Sequence, residues 1–249
     1  MTERQSAAAV LELRQVACRL GEASNFELQI DDFVAYRGET IALVGPSGSG
    51  KSTLMNILAL TLSPLSVGTF AMQTRDGSVI DIGALWEAGD DDRLTSIRAH
   101  HHGYVLQTGG LLPYLSVRQN ISLSLSIVGR FDPAHVEATA ERLEIAALLE
   151  RMPATLSVGQ RQRVAIARAV TQRPALLLAD EPTASVHPSL ADSILSLLAD
   201  QARENDATLV MATHDPDRAA RHGFDIVSLA GAGGARSRLS RDGQQETAP

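Results

Sequence analysis

Gly45-Pro46-Ser47-Gly48-Ser49-Gly50-Lys51-Ser52 decides the fold of this chain. The pattern is a glycine, four residues, then Gly-Lys-Ser, the spacing of a loop that cradles phosphates. Thr40–Val44 (TIALV) ahead of it reads as an apolar strand, and Lys51–Leu60 behind it as an apolar helix. Glycines let successive backbone N–H groups converge on an anion. The helix N-terminus adds its partial positive charge. Lys51 is placed to reach the β and γ phosphates of a triphosphate, and the Ser52 hydroxyl to ligate magnesium. Strand, loop and helix in this order predict a nucleoside triphosphate site.

Outward from the loop, strands alternate with helices. Val10–Val16, Phe26–Ile30, Thr40–Val44, Gly103–Gln107, Ala175–Ala179, Thr208–Ala212 and Asp225–Leu229 read as strands. Lys51–Leu60, Asp91–His100, Val117–Ile127, Pro133–Glu150, Val158–Thr171, Ser189–Glu204 and Pro216–Arg221 read as helices. The late strands are continuous apolar runs, which fits parallel strands covered on both faces. The early strands follow one another without helices between them, so an antiparallel portion is expected near the N-terminus. The expected fold is an α/β P-loop NTPase core with a mainly parallel sheet and an inserted helical subdomain at about residues 116–170. Residues 1–9 read as a flexible N-terminus, 10–230 as the domain, and 231–249 as a disordered tail, because both ends hold few apolar residues.

Composition narrows the function classes. Lys and Arg total 22 against 29 Asp and Glu, for a formal net charge of -7. That argues against a generally basic nucleic-acid binder, although a local basic patch stays open. The single cysteine, Cys18, excludes an intrachain disulfide framework and fits a reducing compartment. No apolar run approaches the roughly 18 residues that cross a bilayer. Met1 to Ala9 is too short and too polar for a signal peptide. The expectation is a cytoplasmic protein with no direct membrane insertion, reaching a membrane only through a partner.

Leu176-Leu177-Leu178-Ala179-Asp180-Glu181 is a buried-strand pattern that ends in two carboxylates. In phosphate-loop enzymes the strand-end acid holds magnesium, which is the role read for Asp180. Glu181 is then placed to accept a proton from the attacking water.

The order of five motifs is more specific than any one of them. GPSGSGKST is followed by Gln107 after GYVLQ, by Leu156-Ser157-Val158-Gly159-Gln160, by LLLADEP, and by His214 after TLVMA. This order resembles ABC-type ATPases over about residues 10 to 229. The resemblance implies ATP and Mg2+ as ligands, with Gly45, Pro46, Ser47, Gly48, Ser49, Gly50, Lys51, Ser52 and Thr53 around the phosphates. It implies that Gln107 reaches magnesium and the attacking water, and that His214 contacts the γ-phosphate. Ser157, Gly159 and Gln160 would bind the nucleotide held by a second copy, so the working unit would be a homodimer. Two such subunits would drive a transmembrane permease subunit, peripheral on the inner face of the cell membrane. The stretch Leu111-Leu112-Pro113-Tyr114-Leu115-Ser116-Val117-Arg118-Gln119-Asn120 is similar to the ATPases of lipoprotein-release and macrolide-export systems, and a division-associated relative shares it. That likeness implies export or extraction of a substrate across the envelope. The alternative is a regulatory ATPase that signals through a membrane partner without transport. A translation or DNA-repair ATPase fits less well, since only one cassette is present and no sustained heptads lie between the phosphate loop and the signature. Leu111, Leu112, Tyr114 and Leu115 read either as a partner surface or as packing inside the helical subdomain.

Three positions depart from the family pattern. Val158 stands where the first signature glycine is usual and restricts the backbone. His187 stands where an aspartate usually links the two active sites, which makes that contact pH-sensitive. Leu20 aligns with the adenine-stacking aromatic, with Phe26 or Tyr36 as substitutes. Loss of stacking predicts weaker ATP binding and poor discrimination from GTP. His100-His101-His102 reads as a solvated helix end rather than a metal site, because consecutive helical side chains point about 100° apart.

Overall fold

The computed structural model describes residues 8–19, 26–184, 186–231 and 236–241. Its described strands are β1 (Ala9–Arg19), β2 (Glu27–Tyr36), β3 (Thr40–Val44), β4 (Thr69–Gln73), β5 (Val79–Asp81), β6 (His102–Val105), β7 (Leu176–Asp180), β8 (Thr208–Thr213), β9 (Asp225–Gly231) and β10 (Arg236–Arg241). The helices are α1 (Lys51–Leu58), α2 (Ile82–Ala88), α3 (Asp91–His101), α4 (Val117–Ile127), α5 (Pro133–Arg142), α6 (Val158–Val170), α7 (Pro188–Glu204) and α8 (Pro216–Arg221). The strands form one sheet in the order β5-β4-β1-β2-β10-β9-β3-β8-β7-β6. β9, β3, β8, β7 and β6 run parallel to their neighbours in that half. β5, β4, β1 and β2 form the antiparallel portion expected from the early strands.

The apolar runs explain why the parallel half is closed on both faces. Leu176, Leu178, Val210 and Ala212 join a core layer with Leu54, Met55, Ile57 and Leu58 of α1. Their alternates Leu177, Ala179, Leu209 and Met211 join the opposite layer with α4, α6 and α7. Successive strand side chains point to opposite faces, so a five-residue apolar run feeds two cores at once. Truncating one of these, such as Leu178, costs about 2–5 kcal/mol.

Two helix starts are set by capping boxes. Ser116 caps α4 with Gln119, and Ser157 caps α6 with Gln160. Asn120, fully buried, accepts from Leu112 N at 2.9 Å and donates to Leu112 O at 3.1 Å and Leu115 O at 2.9 Å. It therefore folds residues 112–116 onto the first turn of α4.

The structure departs from the expected elements in five places, the first being helix α2, capped by the Asp81 side chain in a stretch read as no element. Arg236–Arg241 is strand β10 rather than disordered tail: it pairs with β9 and β2, and Leu239 is buried against the core. β4 and β5 form a hairpin in a stretch read as no element. Its signal was Asp76-Gly77, where Gly77 takes φ 88° and Asp76 accepts from Ser78 N. The helix expected over Pro133–Glu150 ends at Arg142. Glu144 has φ 58°, and Arg163 donates to Leu143 O at 3.0 Å and pairs with Glu144, closing the helix end. Finally, His102 is not solvated. It opens β6, is 8 % exposed, and sets Nε2 3.3 Å from Met72 Sδ.

Candidate functional site

Parallel strands bring the motifs to one edge. Val44 pairs with Thr213 across β3 and β8, Asp180 with Ala212 across β7 and β8, and Val105 with Ala179 across β6 and β7. The loop after β3, the acids ending β7, His214 after β8 and Gln107 after β6 therefore leave the sheet at the same carboxyl edge. That is where ligands bind in sheets of this kind.

The phosphate loop is built as its sequence requires. Gly50 caps α1 with φ 95°, and a Cβ there would lie 2.9 Å from the Phe26 ring. Only glycine combines that left-handed backbone with that approach. Lys51 is 8 % exposed and donates to Gly45 O at 2.7 Å and Pro46 O at 3.1 Å. Ser49 Oγ is buried and has no hydrogen-bond partner among the described residues. An orphaned hydroxyl beside a buried ammonium fits an anion at the loop. Phe26, Ser47, Gly48, Gly50, Lys51, Ser52, Thr53 and Glu181 line one open cavity of about 450 Å³.

Asp180 is half-buried. Burial raises its carboxyl above the usual range, the Glu181 charge adds to this, and Lys51 opposes it. A site that crowds two carboxylates at a strand end favours a cation there. Glu181 holds φ 43°, a backbone region that non-glycine residues rarely adopt. Its Oε2 lies 3.3 Å from Nδ1 of the exposed His214.

Gln107 is exposed and lies two residues past the end of β6, outside the lining of the phosphate-loop cavity. The next turn is fixed from α6: Arg168 donates to Gly110 O at 2.8 Å and Gly109 O at 3.0 Å. Gln162 of α6 donates to Pro182 O at 2.9 Å, beyond the acidic pair. Arg168 and Gln162 are positioning residues that the motif order alone did not single out.

The Ser157–Gln160 segment lies at a different cavity. Ser157, Val158, Gly159, Gln160, His187 and Leu190 help to line about 620 Å³ that shares no lining residue with the phosphate-loop cavity. Gln160 is turned back on its own helix, accepting from Ser157 N at 2.9 Å. Val158 is 44 % exposed at the rim. A Cβ at Gly159 would sit 2.8 Å from Leu190 Cδ2 on α7, so a side chain there would require the Leu190 side chain to shift. Two of the three departures from the family pattern, Val158 and His187, thus face one cavity. The third, Leu20, lies outside the described residues. Of its candidate substitutes, Phe26 lines the phosphate-loop cavity, whereas Tyr36 ends β2 beside Glu39.

Residues 28–184 match the ABC transporter family. The chain belongs to that family. It is 40% identical over 193 residues to the uncharacterized ABC transporter ATP-binding protein YbbA of Escherichia coli K12, covering 76% of this chain and 80% of that one. It is 42% identical to the lipoprotein-releasing system ATP-binding protein LolD 1 of Rhodospirillum rubrum, covering 76% of this chain and 81% of that one. Among solved structures, the dimeric bacterial ABC transporter cassette MJ0796 superimposes with a TM-score of 0.72 at 29% identity, over 93% of this chain and 98% of that one. The same cassette is known as a dimer in a post-hydrolysis state with ADP and Pi, at a TM-score of 0.71. This chain is an ABC ATPase: it hydrolyses ATP as the subunit that drives a membrane partner. Among the described residues, no helix is long and apolar enough to cross a membrane.

Proposed function

We propose that two copies of this chain close around two ATP molecules, each held between the phosphate loop of one copy and the Ser157–Gln160 segment of the other. The observation that carries this reading is the separation of the two anion-binding motifs into cavities with no common lining residue. A single chain thus presents two half-sites, and a second copy completes each.

Lys51 and the N–H groups of residues 45–53 bind and orient the phosphates. Ser52 and Asp180 would hold magnesium, with Gln107 brought in when the site closes; the ion would neutralise phosphate charge. Glu181 takes the proton of the attacking water, and its left-handed backbone aims the carboxylate. His214, 3.3 Å from Glu181 at the same sheet edge, contacts the γ-phosphate. Ser157 and the first N–H groups of α6 supply the second copy's donors.

The partner read from the likeness to LolD 1 is a membrane permease with an envelope-facing task, and export or extraction is the favoured direction. Tyr114, 71 % exposed, and Leu106, 43 % exposed, flank the loop after Gln107 and suit a docked partner, while Leu111 packs into the helical core. A regulatory ATPase that signals without transport is the second reading, separated from the first by substrate movement in vesicles holding both subunits.

Glu181→Gln tests the hydrolytic assignment. ATP binding is retained, and kcat falls about 10²–10⁴-fold. Turnover at the parental rate would remove Glu181 from the base role.

A further inference from the structure

We propose that Arg218, Asp192 and His222 are positioning residues for His214, and that they tie its loop to the helix that begins at the dimer-facing His187 segment. The inference rests on the reading of His214 and Glu181 as hydrolytic residues.

His214 sits between two elements with unequal anchorage. β8 behind it is central in the sheet and wholly buried. α8 ahead of it runs only from Pro216 to Arg221 and buries a single apolar residue, Ala219. A helix this short does not hold its own place, because tertiary contacts supply most helical stability. Its starting point is Asp215, adjacent to His214, whose carboxylate accepts from Arg218 N at 2.9 Å. Asp215 N also donates to Thr213 Oγ1 at 3.2 Å, so the position of Asp215 depends on α8 and on the end of β8 together.

α8 packs against β9 and β3, and a polar cluster ties it to α7 as well. Arg218 Nε lies 3.3 Å from Asp192 Oδ1 and 3.5 Å from Asp215 Oδ2, so one guanidinium bridges the cap residue and α7. The same Asp192 oxygen lies 3.1 Å from His222 Nε2, and the other ring nitrogen of His222 lies 3.2 Å from Ser196 Oγ. Ser196 is one helical turn along α7 from Asp192, so the imidazole spans that turn. The Arg218 and His222 side chains are each about 20% exposed, whereas Asp192 is 51% exposed, so the cluster acts by fixing geometry rather than as a buried charge pair. Arg218 Nε is buried and makes no aligned hydrogen bond among the described residues. It sits between two carboxylates rather than on one, an arrangement that can follow either partner as it moves.

The consequence is directional. α7 starts at Pro188, directly after His187, which lines the cavity with Ser157 and Gly159. Leu190 of α7 is the residue against which Gly159 packs. A second copy that engages this cavity displaces the first turn of α7, and Asp192 lies on the next. Through Arg218 that displacement reaches Asp215 and so His214. The cluster is thus a mechanical link between dimer closure and the histidine beside Glu181.

The test uses the full chain and steady-state ATP hydrolysis with Arg218→Met, Asp192→Asn and the double variant. Each single variant is expected to lower kcat about tenfold with KM for ATP changed less than about twofold. The double variant is expected to be no worse than the poorer single one, since both break one link. Arg218→Lys, which keeps the charge, restores at least part of the loss. Ser196→Ala, a milder change, lowers kcat about twofold and guards against a folding defect in the others. Parental kcat in every variant, additive losses, or a fall in kcat matched by an equal loss of thermal stability would overturn the proposal. His214→Ala is measured alongside. If it hydrolyses ATP normally, the underlying reading of His214 fails. If it is inactive while the Arg218 and Asp192 variants are normal, only the link fails.

Discussion

His214 Nδ1 stands 3.3 Å from Glu181 Oε2, joining the ends of two adjacent parallel strands, β8 and β7. Both residues leave the sheet at its carboxyl edge, and neither position depends on a long loop. The acid and the histidine are therefore presented as a unit, with Glu181 held at φ 43°. His214→Ala is expected to lower kcat about 10²–10³-fold, the scale for losing one preorganised contact to developing charge. KM for ATP is expected to stay within a few-fold. A large rise in KM with kcat unchanged would assign His214 to ground-state binding instead.

Phe26 lines the phosphate-loop cavity and packs on Gly50, the cap of α1. We propose that this ring stacks on the base. Phe26→Ala is expected to weaken ATP binding by about 1–3 kcal/mol, measured by calorimetry. ATP and GTP are expected to bind within a few-fold of each other in the parental chain. Strong rejection of GTP, or parental affinity in Phe26→Ala, would contradict this.

Val158 and His187 face one cavity, so their effects should couple. Val158→Gly removes a branched side chain from the rim and is expected to lower the ATP concentration that drives dimerisation about three- to tenfold. Combined with His187→Asp, the gain should differ from the sum of the two. Additive effects would place the residues at independent contacts.

His102 gives a pH signature of folding. Burial, with His101 and Arg98 nearby, pushes its imidazole down to about 3. The unfolded chain takes up the proton near the ordinary value of 6.5, and the folded chain does not. Stability from this group is therefore full above about pH 6.5 and falls as pH drops toward 3. His102→Gln is expected to lose less stability between pH 7 and 4.5 in urea unfolding. An unchanged pH dependence would show that other groups govern acid unfolding.

The gathering of the motif residues at one sheet edge was more legible than the surrounding elements for a physical reason. Gly50, Lys51, Asp180, Glu181 and His214 carry chemistry that few other residues perform, and parallel strands place them together whatever the loops do. Leu176–Ala179 was legible as doubly buried because both alternating faces are apolar. The β4–β5 hairpin was not, since its strands are short and its outer edge is half-exposed. Arg236–Arg241 was misread because its composition is polar and its order comes from pairing with β9 and β2, a contact between distant segments. The end of α5 at Arg142 was hidden because Arg163, from a later helix, supplies its closing interactions. Val158 could be flagged from the pattern, but the packing of Gly159 against Leu190 needed the structure.

The central claim is that ATP holds two copies of this chain together. Sedimentation of Glu181→Gln with and without Mg-ATP tests it most directly. The expected result is monomer without nucleotide and a dimer retaining two ATP molecules when nucleotide is present, reversed by adding Ser157→Arg at the second copy's half-site. A chain that binds ATP through Lys51 yet stays monomeric at saturating nucleotide, alone and with its membrane partner, would contradict it.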